Sequence, residues 1–244
     1  MSKASKKTTK QATKKPAGSA KSSRSASKTK PAKTTRAASS DGRLDPEKTA
    51  VLFIDFQVDV CGEGGRMLKQ DPEILDRYAR TRANAGALLK KLRSGKPRAR
   101  YLHIAHGWPA GYPALQGART HAMNRHVQNV GAFQRGTPGA AIVSELTPTP
   151  EEPVLWKQTI SAFSGAPVAL WLNQRGIENV ALTGVVTHYA VLSAGIAAAD
   201  LGYRVFVLSD CCNSGTDDRH LAALQILEPL TEVVASEAFL KMFA

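Results

Sequence analysis

Residues 182–210, LTGVVTHYAVLSAGIAAADLGYRVFVLSD, read as one strand–turn–helix–strand unit, a signature of α/β architecture. An apolar run ends at Gly184, a helix begins near Thr187 and runs as Tyr189–Leu201, and a second strand, Arg204–Leu208, closes on Ser209-Asp210. In such units the first turn brings a helix N-terminus, with its free N–H groups, to the end of a buried strand.

The same alternation extends upstream and downstream. Thr49–Phe56 (TAVLFIDF) is a continuous apolar run ending around an acid, as expected for a strand buried on both faces of a parallel sheet. Asp71-Pro72 opens a helix with Leu75, Tyr78, Ala85, Leu88, Leu89 and Leu92 near helical spacing, and Ser94-Gly95 ends it. Further strands are expected at Ala99–Ala105, Val154–Lys157, Asn179–Thr183 and Glu232–Ala235, with helices at Pro167–Arg175 and Asp217–Leu227. Residues 107–150 are rich in Gly and Pro, lack periodicity, and are expected to wrap an active site. The fold class implied is α/β: a single Rossmann-like, doubly wound parallel sheet of about six strands with helices on both faces.

Residues 1–42 are of a different character. They hold 12 Lys/Arg against the single acid Asp41, and after Met1 no Leu, Ile, Val, Phe, Tyr or Trp. Residues 43–244 carry 21 basic and 19 acidic side chains, so nearly all of the formal +13 belongs to the tail. Such a segment cannot bury a core, and residues 1–43 are expected to form a disordered basic tail before a domain over 44–244. Its Lys/Ala/Ser/Thr/Pro repeats resemble histone-H1-like tails. Two readings stand: a polycation binding nucleic acid or another polyanion non-specifically, or a solubilising extension. No apolar run reaches the length of a membrane span, and no apolar segment follows the early lysines as in a secretory signal. With Cys61, Cys211 and Cys212 forming no even framework, a reduced, cytoplasmic protein is expected.

Three chemistry-bearing segments fall at expected strand ends, where α/β sheets bind ligands: Asp55-Phe56-Gln57, Lys157 through Ser161-Ala162-Phe163, and Gly184–Ala190. Together with Asn84, Gly136/Gly139 and Glu145-Leu146-Thr147-Pro148, in this order over about residues 48–235, they resemble the isochorismatase-like, or cysteine hydrolase, superfamily. The resemblance implies a catalytic Asp55 and Lys157. It also implies substrate-binding roles for Gln57, Phe163, Val185, Val186, Thr187, His188 and Ala190, and a cis peptide at Val185–Val186. A small-molecule substrate and a homo-oligomer are expected on the same ground.

One position departs from the common pattern. Where most members carry the nucleophilic cysteine, this chain has Ala190, so covalent catalysis there is excluded. The turn is similar to that of the true isochorismatases, which have a small residue at this position and hydrolyse a vinyl ether. That reaction needs a proton donor, a role for Asp55, yet an ammonium about 4 Å away would favour the carboxylate by roughly 4 kcal/mol at an effective dielectric near 20. Burial or substrate must therefore oppose Lys157. Cys61, Cys211 and Cys212 are read as buried small residues, the last two following the strand that ends at Leu208. Arg119, Arg125 and Arg135 are candidate substrate contacts. No cofactor is expected, and no metal, since His103 and His106 lack the acid that metal-binding members carry nearby. Two functions remain: a hydrolase working without a cysteine nucleophile on a vinyl ether or amide-like substrate, or a catalytically inactive small-molecule-binding module.

Overall fold

The computed structural model describes residues 42–67, 70–117 and 120–243. The expectations for the basic tail and for Arg119 lie outside the described residues. Strands β1 (Thr49–Ile54), β2 (Arg100–His106), β3 (Val154–Lys157), β4 (Asn179–Val185), β5 (Arg204–Asn213) and β6 (Glu232–Val234) form one parallel sheet in the order β3-β2-β1-β4-β5-β6. The helices are α1 (Val58–Cys61), α2 (Pro72–Arg93), α3 (Ala122–Val130), α4 (Ala162–Gly165), α5 (Val168–Asn173), α6 (Leu192–Asp200), α7 (Asp217–Leu227) and α8 (Ser236–Lys241). No described helix is long and apolar enough to cross a membrane.

The alternation of side chains along buried strands sorts the core into two layers. Val51 and Phe53 of β1 pack with Tyr78, Ala85, Leu88, Leu89 and Leu92 of α2 and Phe239 of α8. Ala50, Leu52 and Ile54 face the other way, toward Val168 and Leu172 of α5, Ala194 and Ala198 of α6 and Leu227 of α7. Helix α2 begins as its sequence suggests. Asp71 caps the N–H groups of Glu73 and Ile74 at 2.9 and 3.3 Å, Pro72 takes the first helical position, and Gly95 follows the last turn at φ 69°.

Several boundaries differ from expectation for definite reasons. Strand β1 stops at Ile54 because Asp55 adopts the left-handed conformation, φ 57°, which turns the chain out of the sheet. Strand β5 continues past Leu208 to Asn213, so Cys211 and Cys212 lie inside it. Its polar residues are satisfied from outside the ladder: Asp210 accepts Ser236 N and Oγ at 2.8 and 2.7 Å, and Asn84 Nδ2 donates to Asp210 O at 2.9 Å. The helix expected from Tyr189 opens as a wide turn over Thr187–Val191, in which Tyr189, Ala190 and Val191 N–H all point at Val186 O; α6 starts at Leu192. Residues 107–150 contain α3 and a satellite core of Trp108, Tyr112, Leu115, Val127, Ala132 and Phe133.

Strand order reverses between β1 and β4, so their carboxyl ends diverge into a crevice. Gly184, at φ 150°, lets β4 lie close against the end of β1: a β-carbon there would sit 2.5 Å from the Ile54 carbonyl oxygen.

Candidate active site

A cavity of about 490 Å³ opens at this crevice. Its walls include Asp55 from the end of β1, His106 from β2, Lys157 from β3, and Val185, Val186, His188 and Ala190 from the β4 turn. Val60, Met67, Tyr78 and Phe133 give it an apolar flank.

Lys157 is the polar centre. Its Nζ donates to Asp55 Oδ2 at 2.7 Å, Thr159 O at 3.0 Å and Ile160 O at 3.1 Å. An ammonium has three N–H donors, so this one has none left for a ligand. It is 1 % exposed and acts as a fixed positive charge. Asp55 has the opposite property. Its Oδ1 is buried without a hydrogen-bond partner among the described residues, in a side chain that lines the cavity. Burial pushes the Asp55 carboxyl above the ordinary carboxylate range, against the downward pull of Lys157. The conflict expected from the ion pair alone is thus decided by desolvation.

The other expected residues divide in two. Val185, Val186, His188 and Ala190 line the cavity, and the Val185–Val186 peptide is cis. Gln57, Thr187 and Phe163 do not line it. The Gln57 amide is spent internally, donating to His106 O and Ala140 O at 2.8 and 2.7 Å and accepting His106 N at 2.7 Å. Thr187 Oγ1 bonds His220 Nδ1 at 2.9 Å, and Phe163 packs beside Tyr203. Arg125 bonds Thr120 O and Arg135 lies over the Trp156 ring; the arginine that does reach the cavity, among the described residues, is Arg219. Sequence reasoning also missed His106, Tyr78, Phe133 and Ser214 as wall residues. For His106 the signal was present, since it closes an apolar strand in register with Lys157.

A family model described as an isochorismatase domain matches residues 49–238. The chain belongs to the isochorismatase family. Among relatives of this family member, the ureidoacrylate amidohydrolase RutB of Methylobacterium radiotolerans is 26% identical over 219 residues, 81% of each chain. The maleamate amidohydrolase of Pseudomonas putida is 33% identical over 89 residues, 36% of this chain and 42% of that one. The crystal structure of an isochorismatase family protein from Desulfovibrio vulgaris is 25% identical with a TM-score of 0.67, covering 79% of this chain and 96% of that one.

Within this isochorismatase fold no cysteine reaches the cavity among the described residues. All three thiols are buried and none lines the cavity. Burial pushes Cys61 and Cys212 up to about 12 and raises Cys211 as well, so none supplies thiolate near neutral pH. Intact-mass measurement after iodoacetamide is expected to find no adduct on the native wild-type protein. In Ala190→Cys the new thiol, in the cavity wall, should take up one equivalent. Rapid alkylation of the native wild type would contradict this picture.

Two histidines give the fold a pH dependence. Burial lowers His103 to about 4 and His106 to about 3, so both stay neutral where an unfolded histidine, near 6.5, gains a proton. At these two positions the unfolded chain binds more protons than the folded one below pH 6.5, and their contribution to stability falls as pH falls toward 4. The urea midpoint should therefore be lower at pH 5 than at pH 7.5, with a smaller difference in His103→Gln. Equal dependence in both proteins would contradict the assignment to His103.

Proposed function

We propose that this isochorismatase-family hydrolase works without a thiol nucleophile on a small vinyl ether or amide-like substrate. Asp55 is the general acid/base and Lys157 its electrostatic partner. The observation that carries the reading is the asymmetry of the ion pair at the cavity wall: Oδ2 is held by Lys157 at 2.7 Å, while Oδ1 is buried without a hydrogen-bond partner among the described residues, in a side chain that lines the same cavity as Ala190. A catalytic acid/base needs a free atom within reach of the reacting group and a pKa moved toward working pH, and the raised pKa of Asp55 moves in that direction. Val185, Val186, His188 and Ala190 form the substrate wall. With alanine at 190, water is the nucleophile: Asp55 either removes a proton from it or delivers one to the leaving group.

The amide-like arm is favoured by the two relatives named as amidohydrolases. A screen of the purified full chain against carboxamides, ureides and vinyl ethers tests the reading, with Asp55→Asn as control. Hydrolysis surviving in Asp55→Asn would overturn it. Ligand binding without turnover in the wild type, across the whole screen, would establish the inactive binding module in its place. The pH profile separates the two roles of Asp55. As general base it must be ionised, and kcat/KM rises through its pKa; as general acid it must be protonated, and kcat/KM falls.

A further inference from the structure

Apart from the Asp55–Lys157 pair, the cavity wall holds a second polar constellation, built where β5 gives way to α7. Strands β4 and β5 pair through Val185 and Asn213, so Ser214 and the turn after β4 leave the sheet side by side. Ser214 stands between the end of β5 and the left-handed Gly215, φ 78°, whose N–H donates to Asn213 Oδ1 at 2.7 Å. Strand, serine, glycine and helix within a few residues make a sharp turn, the kind that presents a nucleophilic hydroxyl at a sheet end. Thr187 Oγ1 bonds His220 Nδ1 at 2.9 Å and so fastens the β4 turn to α7.

Ser214 Oγ meets His188 twice, and both residues line the cavity. The His188 backbone N–H donates to Oγ at 3.2 Å, and His188 Nδ1 lies 2.8 Å from the same oxygen. The hydroxyl has one proton, and Nδ1 is its one acceptor among the described residues. A proton on Nδ1 would point at Oγ and leave the serine O–H unpaired in a residue only 6 % exposed. The arrangement that satisfies both groups is an O–H donating to a bare Nδ1. Burial, and then the charge of Arg219, hold His188 below the ordinary histidine range, so the ring is neutral and able to accept. It lies against the Tyr189 ring, with centroids at 4.2 Å. A hydroxyl bonded to a neutral imidazole is the geometry of an activated nucleophile. Just beyond Ser214, Thr216 makes no capping bond, so the N–H groups in the first turn of α7 are unspent.

We propose that Ser214 is a second nucleophile in this cavity, with His188 as its base, and that the pair hydrolyses carboxylic esters of good leaving groups, such as aryl esters. Ser214 Oγ bonds to the ester carbonyl carbon while its proton passes to His188 Nδ1. The bond from that carbon to the leaving oxygen breaks, and the leaving oxygen takes the proton. Water then adds to the acyl-serine and gives a proton to Nδ1; the acid departs as Ser214 Oγ takes that proton back. The unspent N–H groups of α7 are the donors for the oxyanion of each half-reaction. The substrate class follows from what His188 lacks. Ser214 is its hydrogen-bond partner, and no carboxylate among the described residues bonds its ring to stabilise the imidazolium, so an amine would leave poorly and a phenol readily. This activity is separate from the Asp55 reading, in which water attacks directly.

The test uses the full chain and diisopropyl fluorophosphate, which phosphorylates an activated serine with loss of fluoride. Intact mass and peptide mapping should find a single adduct, on Ser214, and the labelled protein should lose its turnover of 4-nitrophenyl acetate. Ser214→Ala should take up no label and should turn the ester over no faster than the labelled wild type. His188→Gln should slow labelling by about 10²- to 10⁴-fold, the usual contribution of a positioned base. No adduct on the wild type, an adduct at another residue, or labelling of His188→Gln at the wild-type rate would each overturn the proposal. Mapping on the wild type decides the matter even if a variant fails to fold. Failure of the Asp55 reading is distinct, because it is scored on carboxamides, ureides and vinyl ethers with Asp55→Asn.

Discussion

Asp55→Asn is expected to lower kcat/KM by about 10²- to 10⁴-fold, the usual contribution of a positioned acid/base. The substitution keeps the shape of the side chain and an oxygen for Lys157 Nζ, which retains its bonds to Thr159 O and Ile160 O at 3.0 and 3.1 Å. It removes the one group in this part of the site able to take up and release a proton from an uncommitted oxygen. The loss should therefore fall mainly on kcat, with the ordered fold intact by circular dichroism. A loss confined to KM would make Asp55 a binding group alone.

Lys157→Met is expected to have the largest effect on stability. It leaves the Asp55 carboxylate buried without its partner and two carbonyl oxygens without a donor. Removing one member of a buried ion pair costs about 3–5 kcal/mol, measurable by urea denaturation at pH 7.5. Without Lys157 the downward pull on Asp55 is gone, so its pKa rises further and the limb of the activity profile should move to higher pH. The double variant Asp55→Asn/Lys157→Met should regain part of the lost stability, because no charge is then buried unpaired. A double variant less stable than Lys157→Met would show that the ion pair was not the source of the loss.

The sheet was legible because its strands are continuous apolar runs, and the Asp55–Lys157 pair because both residues end such runs. What escaped was set by contacts distant in sequence. Ser209 and Asp210 look like a strand terminus, yet Ser236 and Asn84 satisfy Asp210 from elsewhere and β5 continues to Asn213. Helix α3, AMNRHVQNV, buries Val127 alone, too little for a periodic signal. Gln57 has the spacing of a substrate contact, but its amide meets the ends of β2 and the segment at Ala140, a geometry that no local pattern encodes. His106 was read as half of a weak metal pair. Its ring is fixed instead by Trp108, two residues on, which folds back and donates to Nε2 at 2.9 Å.

The three hydrogen bonds of Lys157 have a kinetic corollary. With every N–H directed at a protein oxygen, Nζ behaves like a small cation locked in an oxygen cage: it exerts a field but takes no part in proton traffic. His106, neutral down to about pH 3, exchanges no proton either. Of these three strand ends, Asp55 alone is therefore left to carry a proton.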